Sequence, residues 1–175
     1  MSFLISIARL IEGISEYSGR TVSWLTSILV VLIGYDVAMR YIFNRTSIAI
    51  FEWEWHLYAL IFLLGAAFTL KHDKHVRVDV FYSQFSPKGK AWVNLLGTLF
   101  WLLPVAYLIA WAGWKFTLNS YAIAESSPDP GGLSMRYLIK AAIPVGFGLL
   151  FLQGLAWVIR SIDILTRPST ELPDK

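Results

Sequence analysis

Not one of the 175 residues is a cysteine. That excludes disulfide bonds, thiolate catalysis and cysteine-ligated metals, and it leaves the compartment open. Charge is scarce as well: 15% of the residues are Asp, Glu, Lys or Arg, against about 25% in globular proteins. The chain is long enough for one domain. With 56% hydrophobic residues and a mean hydropathy of +0.56, a soluble chain of this length could not hide its apolar surface. Lipid is therefore the expected solvent. The net charge is only +3, and Lys and Arg cluster nowhere but in one short stretch, 71–77, so nucleic acid is not an expected partner. Catalytic signatures are missing: there is no HExxH, no GxSxG, no Walker loop and no Ser–His–Asp spacing. Glu52 and Glu54 stand two residues apart, about 200° around a helix, which makes a poor carboxylate pair. No enzyme activity is expected. No basic region precedes Phe3, and Arg9, Glu12 and Glu16 interrupt the apolar lead-in, so a cleaved signal peptide is not expected either.

What the chain does contain is apolar runs of membrane length. The expected fold class is an all-α integral membrane protein with four transmembrane helices. Residues 1–20 read as an N-terminal amphipathic helix: Phe3, Leu4, Ile7, Leu10, Ile11 and Ile14 recur at helical spacing opposite Ser2, Ser6, Arg9, Glu16 and Arg20. Two readings of it stand, an interfacial helix or a helix docked on a partner subunit. A membrane domain over 21–160 follows, with spans expected at about 21–43, 51–70, 91–114 and 136–159, and residues 161–175 form a polar tail. Within the first span, Asp36 and Arg40 share one helical face at i, i+4. An acid inside a span marks a functional position unless it is paired. A partner one turn away favours a structural ion pair. Ser86–Pro87 fits an N-cap with proline at N1, Pro104 suggests a kink, and SSPDPGG is turn chemistry.

The second span enters through EWEWH and leaves through KHDKHVRVD. Trp53 and Glu54 belong to one rim, with Arg136 and Lys140 near the same end of the bundle. At the other end Lys71, His75, Arg77 and Asp79 form a basic elbow, followed by a short interfacial helix carrying Val80, Phe81 and Phe85. Ten Lys and Arg fall on the elbow side and five on the rim side, which places both termini and the elbow in the cytoplasm. Small residues Gly65, Ala66, Gly146, Gly148 and Gly154 permit close helix approach, within the bundle or against a partner. Three histidines raise the alternative of a membrane anchor for a haem- or quinone-linked redox enzyme. His56 lies at one end of span two, however, and His72 and His75 at the other, so they cannot share a haem. His72 and His75, at i, i+3, make at most half a metal site, and a solvated juxtamembrane elbow is the preferred reading. No cofactor is expected. Spans two and three lack mid-membrane polar groups beyond hydroxyls, and no inverted repeat is evident, so transport by this chain alone is not expected.

Taken together, RYIFNR, the acid heading span two, FLLGAAFTLKHDKHVRVDVFY, SPDPGG and RYLIKAAIPVGFGLLFLQGLA resemble the small membrane subunit of tripartite ATP-independent periplasmic (TRAP) transporters, the DctQ-like family, over about residues 40–160. The resemblance implies a bacterial inner-membrane scaffold. It would act with a large membrane subunit that holds the substrate and sodium sites, and with a periplasmic binding protein that delivers a carboxylate-bearing organic acid. Because the chain ends after four spans, the large subunit is expected to be a separate polypeptide. The Gly and Ala positions are then candidate contacts with that subunit, and Trp53, Glu54, Arg136 and Lys140 are rim candidates for meeting the binding protein or the large subunit.

Overall fold

The computed structural model describes residues 2–72 and 85–167. Every regular element among them is helical: α1 (Ser2–Ile42), α2 (Ile48–Lys71), α3 (Pro87–Ala122) and α4 (Tyr137–Thr166). All four are long and apolar enough to cross a membrane, as a multi-pass chain requires.

The break expected near residue 20 is absent. Lead-in and first span form one helix of 41 residues, about 62 Å long. No proline interrupts it, and Arg20 Nε donates to Glu16 Oε1 at 2.8 Å across one turn. Gly19 lies so close to the Phe68 ring that no Cβ fits there; it serves helix approach. Only part of the lead-in's apolar stripe is covered by this chain's own last helix: Ile11, with Ala8, packs on Ala156, flanked by Ile7 and Ile159. Phe3, Leu10 and Ile14 stay exposed. The helix ends where Asn44 takes a left-handed φ of 53°, which Asn tolerates well, and the Arg45 N–H reaches back to the Met39 carbonyl at 3.0 Å.

The other helices also run past their expected ends. The start of α3 is capped by Ser86, whose hydroxyl accepts the Gly89 N–H at 3.2 Å, with Pro87 in the first turn. Pro104 withholds the N–H that would meet the Phe100 carbonyl. Thr98–Leu102 widens there into a π-helical turn and the helix continues. The last helix reaches Thr166, where Arg167 pairs with Asp163 at 2.6 Å. The elbow residues His75, Arg77 and Asp79, the interfacial helix expected over Val80 and Phe81, and the tail from 168 to 175 lie outside the described residues.

Packing centres on α4, which meets all three other helices; α1 also lies along α2, while α3 leans mainly on α4. Small side chains occupy much of the interior, among them Ala8, Ala67, Ala91, Ala106, Ala142 and Ala156, whereas Trp24, Phe62, Trp101 and Leu108 point outward. This distribution suits a bundle solvated by lipid. Hydrocarbon offers no hydrophobic drive between helices, so close backbone approach and interhelical hydrogen bonds do the packing. An added Cβ on Gly146 would sit 2.6 Å from the Leu63 carbonyl oxygen of α2, and one on Gly154 or Gly113 would come within 2.7 Å of Leu102 or Ile143. At the termini end, Glu12 accepts two hydrogen bonds from Arg160 at 2.9 and 2.8 Å. Glu16 takes Lys71 at 2.7 Å, and the buried Ser15 hydroxyl donates to Gln153 at 2.7 Å.

Candidate functional site: a loop folded onto buried Glu52

At the opposite end, the connection between α3 and α4 (residues 123–136) folds onto the beginning of α2. Glu52, one turn into that helix, is 3% exposed. Its carboxylate accepts from the Ser127 hydroxyl at 2.5 Å, the Leu133 backbone N–H at 2.5 Å and the Arg136 guanidinium at 3.3 Å. A buried carboxylate needs such donors, since an unpaired ion in the interior is expensive. Gly132 passes directly over it: an added Cβ would sit 2.9 Å from Glu52 Oε2 and collide with Ser127. Only glycine fits that crossing. Gly131 beside it uses the left-handed region at φ 83°, and the Gly132 N–H closes the turn on the Asp129 carbonyl at 3.0 Å.

The loop is tied to itself as well. The Ser127 N–H bonds the Leu133 carbonyl and the Arg136 N–H bonds the Glu125 carbonyl, both at 2.9 Å. Ala124 and Met135, at its two ends, hold positive φ angles of 47° and 61°, which non-glycine residues adopt only when surrounding contacts enforce them. Arg136 also lies over the Trp55 ring at 5.6 Å. Lys140 pairs with Glu125 and sits over Phe116 at 3.9 Å. The Lys140 ammonium, and after it the Ser120 hydroxyl, hold the Glu125 carboxyl below its usual value.

Arg136 and Lys140 are thus engaged inside the chain, with modest exposure, rather than standing free at the rim. Trp53 is half exposed at the rim. Glu54 is half-buried, and its Oε1 is buried without a hydrogen-bond partner. Asp36 is buried and accepts from Arg40 at 2.5 Å. Among the small residues, Gly146 and Gly154 face neighbouring helices, and Gly65 faces Val22 at 4.0 Å. Ala66 lines a cleft between α1 and α2. Gly148 faces open space. Lys71, the described part of the elbow, is bound to Glu16. His56 is buried with Nδ1 2.5 Å from the Glu52 carbonyl oxygen and its ring 3.8 Å from that of Trp55. His72 lies beside Glu16 at 3.0 Å, about 24 Å away along the same helix. No three His, Asp or Glu side chains among the described residues gather as a metal site.

Sequence reasoning placed Glu52 at the rim and missed its task. The task belongs to partners 75, 81 and 84 residues further on. The available signal was the SSPDPGG turn opposite a lone acid at a helix start. Chemically the arrangement presents no nucleophile and no general base; it shapes a surface. Ile123, Pro128, Asp129, Pro130 and Met135 form its exposed side.

The family model described as the DctQ component of tripartite ATP-independent periplasmic transporters matches residues 29–163. A Haemophilus influenzae protein, carried as a candidate TRAP transporter small permease protein, is 30% identical over 141 residues, or 80% of this chain and 85% of its own length. The C4-dicarboxylate TRAP transporter small permease protein DctQ of Vibrio cholerae is 24% identical over 181 residues, covering 90% of this chain and 76% of its own.

Proposed function

Since this chain belongs to the DctQ-component family of TRAP transporters, a transport component and not an enzyme, we propose that it is the static scaffold subunit of a sodium-driven uptake system for carboxylate-bearing organic acids. It pairs with a large membrane subunit that holds the substrate and sodium sites, and a periplasmic binding protein delivers the substrate. The Vibrio relative is named for C4-dicarboxylates, and that is the substrate class proposed here. Both termini and the elbow with Lys71, His75, Arg77 and Asp79 face the cytoplasm of the bacterial inner membrane, following the ten-to-five split of Lys and Arg. The Glu52-bound loop then faces the periplasm.

One observation supports the scaffold role above others. Each buried acid among the described residues is already engaged within the chain: Asp36 by Arg40, Glu52 by its loop and Asp163 by Arg167. None of these three is left to receive a transported cation, and the buried carboxylate oxygen without a partner among the described residues, Glu54 Oε1, lies near the start of α2 and not at mid-span. Trp53 and the exposed side of the loop offer themselves to the binding protein, whereas Arg136 and Lys140 act through the loop they hold. Gly148 offers close approach to the large subunit, while Gly65, Ala66, Gly146 and Gly154 serve the bundle itself. Affinity purification of the tagged chain from membranes tests the reading. A large membrane subunit should copurify, and uptake in proteoliposomes should need that subunit and the binding protein together. Uptake by this chain alone, or its isolation without any large partner, would sink it. Cysteine labelling of residue 75 from outside the cell would reverse the topology.

A further inference from the structure

The outer face of α1 carries a regular apolar seam. Phe3, Leu10, Tyr17, Trp24 and Val31 follow one another at seven-residue intervals, and each is 69–76% exposed. Ile14, Ile28 and Tyr35 stand four residues after three of them and are exposed as well. This is the period of a helix that winds against another helix. Lipid wets every face alike and asks for no period. Nor can lipid cover the whole seam. Glu16 and Asp36 on α1, Glu52 and Lys71 on α2, and Lys140 and Arg160 on α4 stand 20, 19 and 20 residues apart. At ~1.5 Å per residue that is about 30 Å, the thickness of the hydrocarbon core, so these charges mark its two faces. The helix runs on without a break on the far side of Glu16. Leu10 then lies about 9 Å and Phe3 about 20 Å outside the core, whereas the headgroups reach only about 6 Å. A helix lying flat in the interface would need a bend that α1 does not make.

We propose that the large membrane subunit docks on this seam, through one long helix that also continues past the membrane at the termini end and carries an acid opposite Arg9. The identity of the partner rests on the scaffold reading; the face and its charge come from α1 itself. Phe3, Tyr17, Trp24 and Tyr35 together expose about 550 Å², at roughly 200 Å² per aromatic side chain. That is well over half of the ~800 Å² that each side of a stable interface buries. Arg9 flanks the seam, is exposed and has no partner among the described residues. A second α1 does not complement it. The acids of α1 are Glu12, Glu16 and Asp36, and Arg160, Lys71 and Arg40 hold them. A copy set seam to seam therefore offers Arg9 no free acid, and a different chain must supply it.

Photocross-linking in membranes that hold the assembled transporter tests this. In the tagged full-length chain, p-benzoylphenylalanine replaces Phe3 or Leu10, two exposed side chains whose exchange spares the bundle. Illumination should yield an adduct that contains peptides of the large subunit. An adduct of twice this chain's mass, or one formed within the chain, overturns the proposal. So does a large subunit that copurifies without being cross-linked from either position, and that outcome leaves the scaffold reading standing. If no large subunit copurifies at all, the scaffold reading falls and the docking face with it. Arg9→Glu should weaken retention of the large subunit about fivefold, with the thermal midpoint of the isolated chain unchanged, and Arg9→Lys should retain it nearly as the unaltered chain does. Retention untouched by Arg9→Glu refutes the acidic partner face.

Discussion

Two glycines two residues apart, Gly146 and Gly148, should respond to alanine in opposite ways. At Gly146 the added Cβ would lie 2.6 Å from the Leu63 carbonyl oxygen and 2.9 Å from its carbon, about 0.8 Å inside ordinary contact. Those atoms are backbone, so α2 and α4 must move apart rather than a side chain turn aside. Overpacking of this kind costs about 1–3 kcal/mol. At Gly148 nothing lies within 4 Å of the added atom. Both substitutions gain the same helix propensity, about 1 kcal/mol, and that gain cancels when the two variants are compared. What remains is the steric cost, so Gly146→Ala should be less stable than Gly148→Ala by about 1–3 kcal/mol. Thermal unfolding of the detergent-solubilised chain reads this as several degrees, at about 2–4 °C per kcal/mol for a chain of this size. Measured without any partner, Gly148→Ala should equal or exceed the unaltered chain. Equal stability of the two variants would show that the α2–α4 approach at Leu63 is not as close as described. A stable Gly148→Ala that no longer retains the large subunit would assign that glycine to the partner interface.

Removing the Glu52 carboxylate should free the loop: Glu52→Ala is expected to render residues 123–136 sensitive to limited proteolysis and to depress uptake, and a loop as resistant as before would remove Glu52 from its role. The loop should also respond to acid. Lys140 holds the Glu125 carboxyl below its ordinary value, so the pair's contribution is complete above about pH 4.3 and is lost as pH falls through the depressed value. Protease resistance should therefore be flat from about pH 5 to 8 and decline only below about 4, and a midpoint near neutrality would exclude Glu125 as the group responsible. At the termini end, Glu12→Arg and Arg160→Glu should each loosen α1 from α4, and the double exchange should restore part of the loss. With the pair partly exposed to solvent, a coupling of about 0.5–1 kcal/mol is expected, and strict additivity in a double-mutant cycle would argue that the contact contributes nothing.

The spans were legible because hydrocarbon imposes a single demand, about 20 apolar residues in a row, and local chemistry meets it without reference to the rest of the chain. The Ser86–Pro87 cap and the SSPDPGG turn were legible for the same reason, since each is settled within four or five residues. Gly19 was not. It sits where an amphipathic lead-in gives way to an apolar span, and nothing local assigns it a role. Its purpose is the Phe68 ring, 49 positions later in the chain. Arg136 and Lys140 misled in the same way. Basic residues near the end of a span read as free rim charges, whereas their partners, Glu52, Trp55, Glu125 and Phe116, become visible only once α2, α3 and α4 are brought together. Pro104 lay between these cases. The missing N–H was readable, and its resolution as a π turn over Thr98–Leu102 was not.

The placement of polar contacts explains how so small a bundle keeps one register. Apolar faces cannot choose their partners in lipid, because the solvent is as apolar as they are. Small-residue contacts bring α4 close to α2 and α3 but do not by themselves choose a register, since a stripe of alanine and glycine tolerates sliding. The hydrogen-bonded groups do choose. Glu52 ties α2 to the loop between α3 and α4 at one end. At the other end, Arg160 ties α4 to Glu12 of α1, and Lys71 ties α2 to Glu16 of α1. With α4 in contact with every other helix, sliding any one of them breaks a charged contact at an end. Rigidity of this kind leaves the broad outer faces of α1 and α3 uncommitted, with Trp24, Val31, Trp101 and Leu108 exposed. Ties at both ends with uncommitted flanks are what the proposed scaffold role asks of the bundle, since a subunit that had to slide or rock during transport would gain nothing from them.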